Sequence, residues 1–454
     1  MAKPELVQST SGIRGVIGNG LEPIMITTYG CAFGTFLKKG VVVVGRDSRP
    51  SGEMVKAAVI SGLVSVGIDV VDIGVVPTPT VEIAVKQLKA NGGICVTASH
   101  NPAQWNALKF FNKRGEFITA EEYSQLQVIY TSKDFAYKAY NRIGRISHQS
   151  HWIDSHITKT LALTVLNKVA IKKRRFKVVV DAINGAGSHA LPTFLHALGA
   201  KVIKINCKGD GDFVHLPEPI PKNLKGLADA VKQHKADIGM ACDPDADRLV
   251  LVNEAGQTIS EELTLTIAVL EVLKKRRGPT VINLSTSKTT ADVARSCGSR
   301  VYYSKVGESN VVQMLREKRG VIGGEGNGGV IFPEFHSGRD CLVAAGLILS
   351  ALASSGKTLS ALVETFPRYY TIKTKFTLPD DFDQKLVRFE TESEKLVGKA
   401  EIDRRDGLRF DFPDGWVQLR KSNTEPIYRV IVETNQQKLT GELVERVGQF
   451  FKQM

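Results

Sequence analysis

The chain alternates short apolar runs with amphipathic stretches, and each apolar run stops at a polar or glycine-rich turn. Residues 41–44 are four successive valines, the pattern of a strand buried on both faces, as in a parallel sheet. A charged loop follows, and then a helix that carries Met54, Ala57, Ala58 and Leu63. Residues 70–74 read as the next strand, residues 77–80 as the start of a helix, and residues 93–96 as a buried strand. Residues 133–155 are polar and without period, which predicts a linker. A second strand–turn–helix series begins at residues 177–185 and includes a strand over 236–242. A third begins near residue 254, with strands over 281–284, 301–303 and 320–323. From about residue 366 the pattern changes to long strand-like stretches and one closing helix near 437–453. Three α/β units and a different tail predict four domains, over 1–147, 148–253, 254–365 and 366–454, the last of them α+β.

Composition narrows the class. Of 454 residues, 43% are hydrophobic and 24% charged, as in ordinary globular proteins. No apolar run is long enough to span a bilayer, and the first residues lack the apolar core of a signal peptide. The six cysteines are scattered singly, several in apolar runs, which predicts buried free thiols in a reducing cytoplasm. The net charge of +13 admits an anionic partner. The basic runs at 172–175 and 274–277 are short, and each precedes a strand, so solvated helix ends explain them. No aromatic strand interleaved with basic residues marks a nucleic-acid platform, and small anionic substrates fit the charge. Neither a nucleic-acid nor a membrane partner is expected.

Four loops carry candidate chemistry. Thr-Ala-Ser-His-Asn-Pro at 97–102 ends a strand and puts the hydroxyl of Ser99, with His100 beside it, at the carboxyl edge of a sheet, where open α/β sheets hold ligands. Asn-Pro enforces a turn there. Asp243, Asp245 and Asp247 alternate after the strand 238–241, a spacing that can converge three hard oxygens on one divalent cation; magnesium commonly completes its shell with water or phosphate. An EF-hand fails, because its sixth position is Arg248 instead of glycine. The glycine-rich run 323–329 lets a ligand approach the backbone and offers Glu325 and Asn327 as acceptors for sugar hydroxyls or an amine. Arg420, Ser422, Asn423 and Thr424, with Arg429 on the next strand, form a dense anion site. Arg14 lies in an early glycine turn, and Lys109 lies ten residues after Ser99.

Together, and in this order, the four loops resemble the signature loops of the α-D-phosphohexomutase family over essentially the whole chain. The resemblance implies three similar α/β domains with mixed sheets plus a C-terminal α+β domain around a central cleft. It implies a phosphoserine at Ser99, and Mg²⁺ held by Ser99 with Asp243, Asp245 and Asp247. Arg14, Lys109 and Arg248 would lie near the transferring phosphoryl group, with Lys109 also a candidate acid or base. Glu325 and Asn327 would hold the sugar, while Arg420, Ser422, Asn423, Thr424 and Arg429 would grip the distal phosphate. A hexose 1,6-bisphosphate would be the intermediate and activator. Within the family, the segment 97–109 together with 324–329 looks like archaeal-type and certain bacterial phosphoglucosamine mutases. This implies interconversion of glucosamine 6-phosphate and glucosamine 1-phosphate. The alternative is a phosphomannomutase/phosphoglucomutase. One departure is plain: many such members have histidine where this chain has Gly329, so a general acid or base cannot be carried over there. His336, seven residues on, is the candidate replacement.

A different rival is a phosphatase, because an apolar strand ending in Asp-x-Asp resembles the haloacid-dehalogenase nucleophile loop; Asp243 would then carry the phosphate. The small-molecule partners expected are sugar phosphates, and the assembly expected is a monomer or homodimer.

Overall fold

The computed structural model describes residues 6–421 and 427–452. Ser422, Asn423 and Thr424 lie outside them. The fold is α/β, with three similar domains and a C-terminal domain.

The similarity of the three units extends to strand order. In the first, Asp69–Val75, Val41–Arg46, Gly92–Val96 and Trp105–Asn112 are neighbours in that order. The second runs Lys201–Ile205, Lys177–Asp181, Ile238–Cys242, Leu249–Val252, and the third Val301–Ser304, Thr280–Asn283, Ile322–Glu325, Gly329–Ile331. In each, the first three strands are parallel and the fourth turns back antiparallel. The loop that makes that turn is, in chain order, the Ser99 loop, the three-aspartate loop and the glycine-rich loop.

The valine run is buried on both faces, as its composition predicts. Val42 and Val44 pack into one apolar cluster with the helices Pro23–Leu37 and Gly52–Ser65, and Val43 packs into another with the helix Thr78–Leu88. The second and third units share one continuous core, built around the apolar helices Glu262–Leu273 and Cys341–Ser355.

The C-terminal sheet is antiparallel, in the order Tyr370–Thr377, Ile427–Thr434, Gly415–Lys421, Leu408–Phe412, Glu401–Asp403, and has its own aromatic core. Besides the closing helix Gln437–Lys452 it contains a second, Phe382–Val397, which the sequence reading missed. Its exposed face is densely charged, and only Phe382, Phe389, Ser393 and Val397 are fully buried, so its apolar stripe is narrow. The expected linker also differs, since Ile146–His148 pairs with Asp69–Val75 at the sheet edge. That strand is three exposed residues and carries no apolar period to read. The basic runs do lie at solvated helix ends: residues 172–175 are exposed, as are most of 274–277. No helix among the described residues is long and apolar enough to cross a membrane.

Candidate active site

Ser99 sits just past the strand Gly92–Val96 with φ of +49°, a left-handed conformation that costs a side-chain-bearing residue of order 1–3 kcal/mol and persists only where its surroundings impose it. Here they do. Arg49, fully buried, donates to the carbonyls of Ser99 (2.6 Å), Asn101 (2.7 Å), Pro102 (2.6 Å) and Trp105 (3.1 Å), and through Nε to Asp47 (3.0 Å). Asp47 also accepts from Thr97 Oγ1 (2.7 Å), whose oxygen in turn accepts the Ser99 N–H (2.9 Å). All five guanidinium donors are thereby used, four to staple one loop and the fifth on Asp47 beneath it. The sequence reading missed Asp47 and Arg49. The available signal was their place at the end of the valine strand, next in the sheet to the strand that carries Ser99.

The aspartate hairpin meets this loop from the second unit. Ser99 Oγ donates to Asp243 Oδ2 at 2.8 Å. Asp243 Oδ1 accepts the backbone N–H groups of Asp247 and Arg248, both at 3.2 Å. Asp245 Oδ2 accepts from Thr78 Oγ1 and from Lys109 Nζ, each at 2.6 Å. Lys109 also reaches Asp247 Oδ2 at 3.4 Å. All three aspartates are buried, and ligand oxygens from the three lie within 4.8 Å of one another. Burial, then Asp247 and Asp245, hold the Asp243 carboxyl well above the usual carboxylate range. Burial also pushes Asp247 up, but Arg339, Lys109 and Arg248 outweigh it and leave Asp247 below that range. Burial lowers Lys109, yet Asp245 and Asp247 more than reverse this, so it stays an ammonium.

A divalent cation fits this donor set. Asp245 Oδ1 and Asp247 Oδ1 are buried without a hydrogen-bond partner, and three crowded carboxylates repel until a cation neutralises them. The surroundings are equally suited to a phosphoryl group. Arg14 donates to Asn101 Oδ1 (3.2 Å), while its Nε and that of Arg248 are buried without a hydrogen bond. His100 Nδ1 lies 3.3 Å from Ser99 Oγ. Burial, with Arg248 and Arg14 adding to it, keeps that imidazole neutral.

The third hairpin holds Glu325. Its Oε1 accepts from Asn283 Nδ2 (2.8 Å) and the Gly307 N–H (2.9 Å); its Oε2 accepts from Arg339 Nη1 (2.7 Å) and, at 3.5 Å, from Asn327. The metal and sugar hairpins touch directly, through Leu249 N–H to the Gly328 carbonyl at 3.0 Å. His336 is buried; its Nε2 donates to Asp340 Oδ2 (2.9 Å), and its Nδ1 lies 3.1 Å from the Gly338 nitrogen and 3.2 Å from Glu82 Oε2. Both its ring nitrogens are engaged there, so the structure gives it anchoring contacts instead of the freedom a replacement acid or base needs. Arg420 Nε meets Asp406 Oδ1 at 3.2 Å, and Arg429 is its exposed cross-strand neighbour. These two lie in the C-terminal domain, apart from the Ser99 contacts just described.

Comparison with known proteins agrees along the whole chain. Residues 5–137, 154–256 and 261–370 match the families described as phosphoglucomutase/phosphomannomutase, alpha/beta/alpha domains I, II and III, and residues 375–449 match the C-terminal domain of the same series. A phosphoglucomutase/phosphomannomutase of Thermococcus kodakarensis is 40% identical, the match covering 96% of each chain. A "Probable phosphoglucosamine mutase" of Methanopyrus kandleri is 35% identical, over 96% of this chain and 95% of that one. The crystal structure of a phosphoglucomutase/phosphomannomutase family protein from Burkholderia thailandensis superposes with a TM-score of 0.86 at 29% identity, over 98% of each chain. The chain therefore belongs to the phosphoglucomutase/phosphomannomutase family and is a phosphohexomutase, an isomerase acting on sugar phosphates.

Proposed function

We propose that this phosphohexomutase interconverts glucosamine 6-phosphate and glucosamine 1-phosphate through a phosphoserine at Ser99 and a 1,6-bisphosphate intermediate. The observation that supports the chemistry best is Ser99 Oγ at 2.8 Å from Asp243, inside a buried three-carboxylate cluster with unpartnered oxygens. Asp243, Asp245 and Asp247 would hold Mg²⁺ together with the Ser99 phosphate; bound there, the ion supplies neutralising charge to the phosphoryl group in flight. In the forward half-reaction the Ser99 O–P bond breaks and a bond from phosphorus to a sugar hydroxyl oxygen forms. The hydroxyl proton passes to a neighbouring base, and the leaving Ser99 Oγ takes up a proton in turn, so that serine regains its hydroxyl. The bisphosphate then turns over and returns its other phosphoryl group to Ser99. Arg14 and Arg248 bring charged N–H donors to that group. Lys109, charged in this state, holds Asp245. Glu325 and Asn327 receive the sugar hydroxyls, the long 3.5 Å contact between them being the one a sugar displaces. Arg420 with Ser422, Asn423, Thr424 and Arg429 grips the phosphate that is not reacting.

The glucosamine assignment draws on the loop sequences at 97–109 and 324–329 and on relatives named phosphoglucosamine mutase at 32–35% identity. A second reading, phosphomannomutase/phosphoglucomutase, draws on the 40% identical relative of that name. Turnover of glucosamine, glucose and mannose phosphates, with glucose 1,6-bisphosphate as activator, separates them. The proposal expects glucosamine phosphate to have the highest kcat/KM; a tenfold or greater preference for mannose or glucose phosphate would replace it with the second reading. A cytoplasmic location accords with free cysteines, four of them buried.

A further inference from the structure

Arg339 took no part in the reading of the sequence, yet it ties two of the functional hairpins together. Its Nη2 donates to Asp247 Oδ2 at 2.6 Å, in the aspartate loop of the second unit. Its Nη1 donates to Glu325 Oε2 at 2.7 Å, in the glycine-rich loop of the third. Its Nε lies 3.2 Å from Glu308 Oε2, and its backbone N–H donates to the other Glu308 oxygen at 2.8 Å. The side chain is 9% exposed. Three buried carboxylates from separate segments thus converge on one guanidinium.

The route that Arg339 takes depends on Gly329. A Cβ on Gly329 would lie 2.2 Å from Arg339 Cδ, and Gly329 has no positive φ to require glycine for backbone reasons. The absent side chain is therefore the space that the arginine stem fills. The arginine is also held from behind. Asp340, the next residue, caps the helix Cys341–Ser355 by accepting from Leu342 and Val343 N–H, and it receives His156 and His336 on its other oxygen. Cys341 N–H bonds Ala246 in the aspartate loop. A planar fork so anchored fixes the separation and orientation of both acceptors.

We propose that Arg339 is a positioning residue for phosphoryl transfer, which sets the metal loop against the sugar loop by holding Asp247 and Glu325 on one guanidinium threaded past Gly329. By taking Asp247 Oδ2 it leaves Oδ1, which has no hydrogen-bond partner and lies 3.6 Å from Arg248 Nε, as the oxygen offered to a cation. By taking Glu325 Oε2 from one side it fixes the direction in which that oxygen meets a sugar hydroxyl. This inference rests on the Ser99 site being where the phosphoryl group is transferred.

The test is steady-state kinetics on the full chain with Arg339→Lys, Arg339→Ala, Gly329→Ala and the Gly329→Ala/Arg339→Ala double variant. Glucosamine 6-phosphate and glucose 1-phosphate are the substrates, with glucose 1,6-bisphosphate as activator and Mg²⁺ titrated in each case. Arg339→Ala is expected to lose about 100-fold in kcat, the scale of loss for a site displaced by about an ångström, to need more Mg²⁺ for half-maximal rate, and to bind Mg²⁺ more weakly when titrated calorimetrically without substrate. Arg339→Lys is expected to recover part of both losses. Gly329→Ala is expected to shift both quantities in the same direction by pushing the stem aside, and to add nothing once Arg339 is already alanine. A merely structural arginine would change thermal stability without moving the Mg²⁺ requirement. If Arg339→Ala does not fold, Gly329→Ala and Arg339→Lys carry the test through the same two quantities. Folded variants that keep kcat and Mg²⁺ half-saturation within twofold of the parent overturn the proposal, as does multiplication of the Gly329 and Arg339 effects. Ser99→Ala is the control for the underlying site: full turnover in that variant would overturn the phosphoserine reading itself, whatever Arg339 does.

Discussion

Ser99 is a residue placed by others. Its left-handed backbone is imposed by Arg49 on four carbonyls and by the Asp47–Thr97 pair beneath the loop. Removing one partner of a buried ion pair costs about 3–5 kcal/mol, and Arg49 and Asp47 are both fully buried. Arg49→Ala is therefore expected to lower stability by that order in urea unfolding. Arg49→Lys keeps the charge but loses the fork, and is expected to reduce kcat by about 100-fold through displacement of Ser99; a kcat within twofold of the parent would contradict the staple. His336 makes a second prediction. Burial lowers its pKa, but Asp340 and Glu82 more than reverse this, to about 9 against an ordinary 6.5. Glu82, its partner, is likewise raised, chiefly by burial, to about 8. Both bind more protons in the folded than in the unfolded state above neutrality. Their stabilisation is thus complete below pH 6.5 for the histidine and is lost as pH rises towards about 9. The thermal midpoint is expected to fall across that interval, and His336→Gln to flatten the fall. An equally steep profile in the variant would show that the histidine is not the group responsible.

At the level of elements, the site is the same hairpin used three times. Each α/β unit turns its last strand back against three parallel ones, and the turns carry Ser99, the aspartates and Glu325. The three loops were legible because apolar runs end abruptly at dense polar stretches, whose order and spacing survive in one dimension; the shared antiparallel return strand was not. What was not legible depends on pairs distant in sequence. Arg49 acts on residues 50 positions away, and Arg339 on one 92 positions away; neither stands in a motif. The helix Phe382–Val397 was hidden by its narrow apolar stripe. Contact between hairpins gives a further prediction. Gly328 has φ of +87°, and a Cβ there would meet the Leu249 carbonyl oxygen at 2.5 Å. Gly328→Ala should therefore cost about 1–3 kcal/mol and weaken the junction of the aspartate and sugar loops, read as a lower urea midpoint together with a raised KM for sugar phosphate. An unchanged KM would mean that the two hairpins work independently.

Across the whole molecule, the second and third units share a core whereas the C-terminal domain has its own. Its attachment is polar: Ser285 Oγ to Gln418 (2.6 Å), the Lys288 N–H to Glu433 (2.6 Å), the Val306 N–H to Asp406 (2.9 Å), and Lys373 to Glu262 (2.7 Å). Polar interfaces of this kind permit relative motion, and we propose the segment 365–370 as the joint. We expect the domain to close when bisphosphate binds, bringing the Arg420 loop to the distal phosphate and excluding water from transfer. Small-angle scattering should then show a smaller radius of gyration with glucose 1,6-bisphosphate than without; identical profiles would argue against closure. The central claim, that Ser99 carries the phosphoryl group between the two ends of a sugar, is tested most directly by phosphosite mapping of the intact protein after incubation with glucose 1,6-bisphosphate and Mg²⁺, and again after chasing with excess sugar monophosphate. The account predicts one phosphoryl group, on Ser99, that is lost to the sugar in the chase. Phosphate on Asp243, or an unmodified Ser99 in protein that still turns over substrate, would contradict it.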